Sequence, residues 1–196
     1  MADKTKKVIL VTDGDKVARK TVTVAAKKIG ARCISASWGN PTPVTGPQMV
    51  KMIEEAPRDP IVVMLDDRGH PGQGAGEQVL EYIYRHPDID IIGVLAVASN
   101  TPGVEGISIK KSVSRFGEII DGPVDKAGIP EGGNHHYLEG DTVDILNRLN
   151  IENIVGIGDI GKMDGADDYR SGARITTKAL EELLENALKK DGEPIV

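Results

Sequence analysis

Apolar residues in this chain come as short unbroken runs separated by amphipathic stretches. Val8-Ile9-Leu10-Val11 is such a run, the pattern of a strand buried on both faces. After Thr12-Asp13-Gly14-Asp15, the residues Val17/Ala18, Val22, Ala25/Ala26 and Ile29 recur at helical spacing. Gly30 then stands where the residue after a helix end belongs. Ala31 to Ala36 predicts a second strand, and Asn40-Pro41-Thr42-Pro43 a loop. Thr45 and Gln48 form a capping-box pair opening a helix to about Ala56.

The alternation continues. Ile61 to Leu65 predicts a third strand, followed by Asp66-Asp67 and a glycine-rich loop. A helix carrying Val79, Leu80 and Ile83 must stop near His86, because Pro87 follows. Ile91 to Ala98 is the fourth strand and Ile154 to Ile157 the last, with Asp141 predicted to cap a helix bearing Ile145, Leu146 and Leu149. A final helix runs from about Ala173 to Lys189. Residues 100–138 are less regular and predict short strands or a flap inserted in a single domain over 1–196. The fold class is therefore α/β: a three-layer, doubly wound, mostly parallel sheet of about five strands with helices on both faces, Rossmann-like.

Composition narrows the function. A single cysteine among 196 residues excludes a disulfide scaffold and a Cys-based zinc module, and Cys33 lies within an apolar strand. The net charge of -6 and only six aromatics (Trp38, Phe116 and four Tyr) argue against a nucleic-acid partner. The tight basic cluster Lys4, Lys6 and Lys7 is read as a solvated terminus. Without an apolar segment at the N-terminus the chain is expected not to be secreted. The run Ile91 to Ala98 is far short of the roughly 20 residues of a membrane span.

Candidate chemistry gathers at the strand ends, where open parallel sheets bind ligands. The first strand delivers Asp13 and Asp15, the third Asp66 and Asp67, the last Asp159, and the fourth Ser99 and Asn100. Carboxylates sharing a crevice raise one another's pKa unless a cation neutralises them, and hard oxygen ligands suit Ca²⁺ or Mg²⁺. The cluster resembles the Asp-x-Asp sites of Toprim-type phosphoryl-transfer domains, although Thr12-Asp13 stands where those carry a glutamate. The alternative is that these aspartates cap the following helices. Gly72, Gly74 and Gly76 lie between a strand and a helix, where backbone N–H groups can cradle an anion, and His70 borders the same loop. Gly156-Ile157-Gly158-Asp159-Ile160-Gly161 matches a dinucleotide fingerprint in spacing, but the helix, further strand and acidic residue it needs do not follow. His135-His136 lack a third ligand at metal-site spacing, and no nucleophile elbow is present.

Six segments together resemble one family: VILVTDGD (8–15), VMLDDRGHPGQGAGE (63–77), GVLAVASNTPGVEG (93–106), DGPVDKAG (121–128), YLEGDTVDIL (137–146) and IVGIGDIGKMDGADD (154–168). They are similar to the soluble form of stage V sporulation protein AE, of the SpoVA set of spore-forming bacteria. The resemblance implies a non-enzymatic accessory role in sporulation and germination, linked to moving calcium dipicolinate at the spore inner membrane. It implies integral-membrane and soluble partners of the same set, a place in the spore interior or peripheral to its inner membrane, and membrane contact through those partners. It establishes no cofactor and no catalytic residue. Self-association, a Ca²⁺/dipicolinate-binding crevice and a Toprim-like Mg²⁺-dependent phosphoryl-transfer enzyme stay open as alternatives.

Overall fold

The strand order of the main sheet follows from which runs can be buried on both faces. In the structure, a computed structural model that describes residues 5–69 and 73–192, β1 (Lys6–Val11) sits near the centre. Its residues Val8 to Val11 are wholly buried. β3 (Ile61–Met64) pairs parallel on one side of it and β4 (Ile89–Val97) on the other. β2 (Arg32–Cys33) lies outside β3, and β9 (Ile154–Ile157) outside β4, both parallel. β6 (Lys111–Val113) then pairs parallel with β9, and β7 (Ile119–Asp121) closes the edge antiparallel. The sheet thus has seven strands in the order β2-β3-β1-β4-β9-β6-β7. A separate pair, β5 (Ile107–Ser108) and β8 (Tyr137–Leu138), is antiparallel.

Helices cover both faces. α1 (Lys16–Lys28) and α4 (Arg174–Asp191) pack on one side, where Val22, Ala25, Ile175 and Leu180 meet Ile9, Val11, Leu95 and Val155. α2 (Gly46–Glu54) and α3 (Ala75–Tyr84) pack on the other, where Met49, Ile53, Leu80 and Ile83 meet Val8, Leu10 and Val63. Side chains alternate along each strand, so odd and even positions of β1 feed the two cores separately. Ile107 and Leu138 of the small sheet join the α2/α3 side.

Three expectations are corrected. The main sheet has seven strands rather than about five, because residues 111–121 form two of them. The second strand shrinks to two residues: Ser35–Ser37 form a 3₁₀ turn, and Ser37 Oγ accepts from Met64 N. Around Ile145 there is a 3₁₀ turn at Asp144–Arg148 and no capped α-helix. Thr142 there takes a left-handed φ of 60°, and the Asp144 carboxylate is spent on the N–H groups of Glu105 and Gly106.

This topology opens the functional edge. β3, β1, β4 and β9 are consecutive neighbours, so their carboxyl ends lie side by side. The chain leaves β1 and β9 toward the α1/α4 face but leaves β3 toward the α2/α3 face. Neighbouring loops that part to opposite faces leave a crevice between them.

Candidate functional site

Two acidic pairs end the adjacent strands β1 and β3, and each divides its labour. Asp15 is the N-cap of α1: its Oδ1 accepts from Val17 N at 2.7 Å and Ala18 N at 2.8 Å. α3 has Gly74 as its N-cap, and Asp67 satisfies its first turn from the end of β3, accepting from Gly76 N at 2.6 Å and from Glu77 N at 3.2 Å. The other member of each pair stays in the crevice. Asp13 accepts from Asp15 N at 3.1 Å. Asp66 accepts from Arg68 N at 2.7 Å and from Gly14 N at 3.2 Å.

Asp13, Asp15, Asp66 and Asp159 converge with Ser99 around a crevice of about 150 Å³. Asp141, Lys126 and Lys162 complete its wall. Lys162 Nζ lies 2.9 Å from both Asp15 and Asp159, and Lys126 lies 3.6 Å from Asp159. Ser99 Oγ accepts from Asp141 N at 2.9 Å, and Gly69 N donates to the Asp141 carboxylate. Asn100 lines an adjoining crevice of about 430 Å³ that shares Lys126, Asp159 and Lys162.

Burial and crowding set the charge state. Burial, with the neighbouring Asp15, Asp66 and Asp159, pushes the Asp13 carboxyl well above its ordinary value. Asp66 is pushed up to about 6, mainly by burial, and Asp141 rises chiefly for the same reason. Asp15 goes the other way: helix N–H groups and Lys162 outweigh its burial and hold it low. Lys162 is held protonated by Asp15 and Asp159 despite its own burial. The crevice therefore has two electrically different sides. Lys162 screens the Asp15/Asp159 side, while Asp13, Asp66 and Asp141 remain crowded carboxyls that a hard divalent cation would neutralise.

The glycine loop serves its own carboxylate. Gly76 N–H points at Asp67, so the anion cradled at the start of α3 belongs to the protein. A Cβ on Gly74 would lie 2.2 Å from Asp67 Oδ1, and one on Gly76 would lie 2.8 Å from Asp66 N. Glycine is required there for close approach. Gly72 and His70 lie outside the described residues. The 156–161 glycines are likewise filled by the protein, with Gly156 against Ser112 and Gly158 against Gly128.

Sequence reasoning missed Asp141, Lys126 and Lys162. Lys162 follows Asp159 by three residues, a signal that was present, whereas nothing local marks Asp141 or Lys126 as neighbours of Asp66 or Asp159. A second cluster also escaped: ligand atoms of Glu54, His86 and Asp88 lie within 4.8 Å of one another. His86 Nδ1 there already accepts weakly from Asp88 N at 3.4 Å.

Residues 7–187 match the model of the family described as stage V sporulation protein AE1. No curated protein and no solved structure shows significant similarity to the chain.

Proposed function

The chain belongs to the stage V sporulation protein AE1 family, which carries a sporulation role, and from that premise we propose a non-enzymatic accessory function in handling calcium dipicolinate. It works peripherally at the spore inner membrane, beside integral-membrane and soluble proteins of the same sporulation set. The observation that carries this reading is the family match over nearly the whole chain. Among the described residues no helix is long and apolar enough to cross a membrane, which is consistent with a peripheral place. The test is deletion of the protein in the spore-former. Spores should then accumulate less dipicolinate or release it more slowly, and unchanged uptake and release would overturn the proposal.

A second reading rests on the crevice itself. Asp13, Asp66 and Asp141 stand as crowded carboxyls beside Lys126 and Lys162. That combination suits Ca²⁺ together with an anionic ligand such as dipicolinate, whose carboxylates the lysines would meet. A ligand at 100 times its Kd adds about 2.7 kcal/mol of stability, and each kcal/mol moves Tm by roughly 2–4 °C at this size. Melting in EDTA and then in excess Ca²⁺ plus dipicolinate should show that rise. Identical curves would remove the crevice from the proposal and leave the accessory role standing.

A further inference from the structure

α1 carries five basic residues, Lys16, Arg19, Lys20, Lys27 and Lys28, and no acidic one, in a chain whose net charge is -6. At 100° per residue, Lys16, Lys20, Thr23 and Lys27 fall on one solvent-facing stripe, about 16 Å long. Among the described residues none of the five forms an ion pair with a carboxylate. The bordering carboxylates are already engaged: Asp15 caps the helix and holds Lys162, and Asp168 accepts from Arg170 N. Lys16 and Arg19 also sit in the first turn, where the helix dipole disfavours cations. Lys20 reaches Tyr169 Oη at 3.4 Å, Lys28 donates to Gly172 O at 2.6 Å, and Lys27 and Lys28 lie in the last turn where the dipole favours them. Among the described residues, however, no carboxylate offsets the positive charge of the helix, which leaves it open to another surface.

Aromatic rings flank the stripe on both sides. The Arg19 guanidinium lies 4.7 Å from the Trp38 ring, and Tyr169 is approached by Lys20 at 5.0 Å and by Arg170 at 5.4 Å. Both rings are half-buried. The stripe is the convex face of a helix, and the larger crevices of the molecule are lined by other residues. A convex line of cations bordered by amphipathic rings fits a flat anionic surface better than a small ligand or a threaded peptide.

We propose that the α1 face docks directly on an anionic lipid bilayer. The idea rests on the reading above only for which membrane is met; the affinity follows from the charge pattern. The experiment uses the whole protein with vesicles of phosphatidylcholine alone or mixed with phosphatidylglycerol, without any partner protein or dipicolinate. Sedimentation should capture the protein on the mixed vesicles only, and high salt should release it. Emission of Trp38, the one tryptophan, should shift to the blue on binding. The triple variant Lys16→Gln/Lys20→Gln/Lys27→Gln should bind about a hundredfold more weakly, about fivefold per cation. A control triple, Lys51→Gln/Lys110→Gln/Lys190→Gln, makes the same change in net charge elsewhere and should bind as the parent does. Melting curves confirm that both triples are folded. Absence of binding to mixed vesicles, equal binding to neutral ones, or an equal loss in the control would overturn the proposal. So would tighter capture by duplex DNA or polyglutamate than by the vesicles. Because the vesicles contain no sporulation partner, failure here is distinct from a failure of dipicolinate handling in deleted spores.

Discussion

The two acidic pairs at the ends of β1 and β3 are chemically similar and yet are used in opposite ways within each pair. Asp15 and Asp67 turn into helix N-termini, where N–H donors favour the charged carboxylate. Asp13 and Asp66 remain on the crevice side, where burial and like charge favour the neutral form. The difference teaches that an Asp-x-Asp or Asp-Asp motif at a strand end is not a single feature. One carboxylate caps a helix and the other lines the crevice, so the capping reading accounts for only one member of each pair.

The capping member of the β3 pair should cost most to remove. Asp67 is buried, and Asp67→Ala strands the N–H groups of Gly76 and Glu77, so stability should fall by about 2–3 kcal/mol. A thermal melt should record a Tm lower by roughly 4–12 °C, and an unchanged Tm would dissolve the division of labour. Gly74→Ala should cost about 1–3 kcal/mol, because the new Cβ displaces the same carboxylate. Combined with Asp67→Ala its penalty should shrink, and strict additivity in urea titrations would show that the two do not touch.

The crevice member should reveal itself through pH. Asp66 has a folded pKa of about 6 against an ordinary 3.8, so folding takes up a proton between those values. Stability at this site is therefore greatest below pH 4 and is lost as pH rises toward 6. Asp66→Asn stays neutral, and its stability relative to the parent should improve by about 1–2 kcal/mol between pH 4 and pH 7. Parallel pH profiles would contradict the raised pKa. Asp15 has the opposite sign, because its pKa is lowered and its contribution exists above the ordinary value and fades as pH falls through it. Asp15→Ala should cost about 1 kcal/mol at neutral pH and less near pH 3, the smallest of these effects, since the cap is part-exposed.

Much of the fold was legible because its signals are local. The run Val8 to Val11, the helical spacing from Val17 to Ile29 with Gly30 after it, and the break at Pro87 predict β1, α1 and the end of α3 within a residue or two. Short strands were expected within residues 100–138, but the place of β6 and β7 in the main sheet was not legible, since three-residue strands carry too little pattern and join it only through the pairing of β6 with β9 and of β7 with β6. Asp141 misled for a related reason: it resembles a helix cap, but Thr142 and Asp144 commit their backbone and side chain to other contacts.

By itself, the sequence determined where chain segments are apolar, at which period, and where they start and stop, because those depend on neighbours a few residues away. It thereby determined the α/β class and placed aspartates at the strand ends. Tertiary structure alone decided that β3, β1, β4 and β9 stand side by side, bringing Asp13, Asp66, Asp141, Asp159 and Lys162 into one crevice. It also decided which aspartate of each pair faces that crevice, and that among the described residues no carboxylate pairs with the α1 cations. These outcomes depend on strand order and on two separate cores, set by packing between residues as far apart as Asp15 and Lys162.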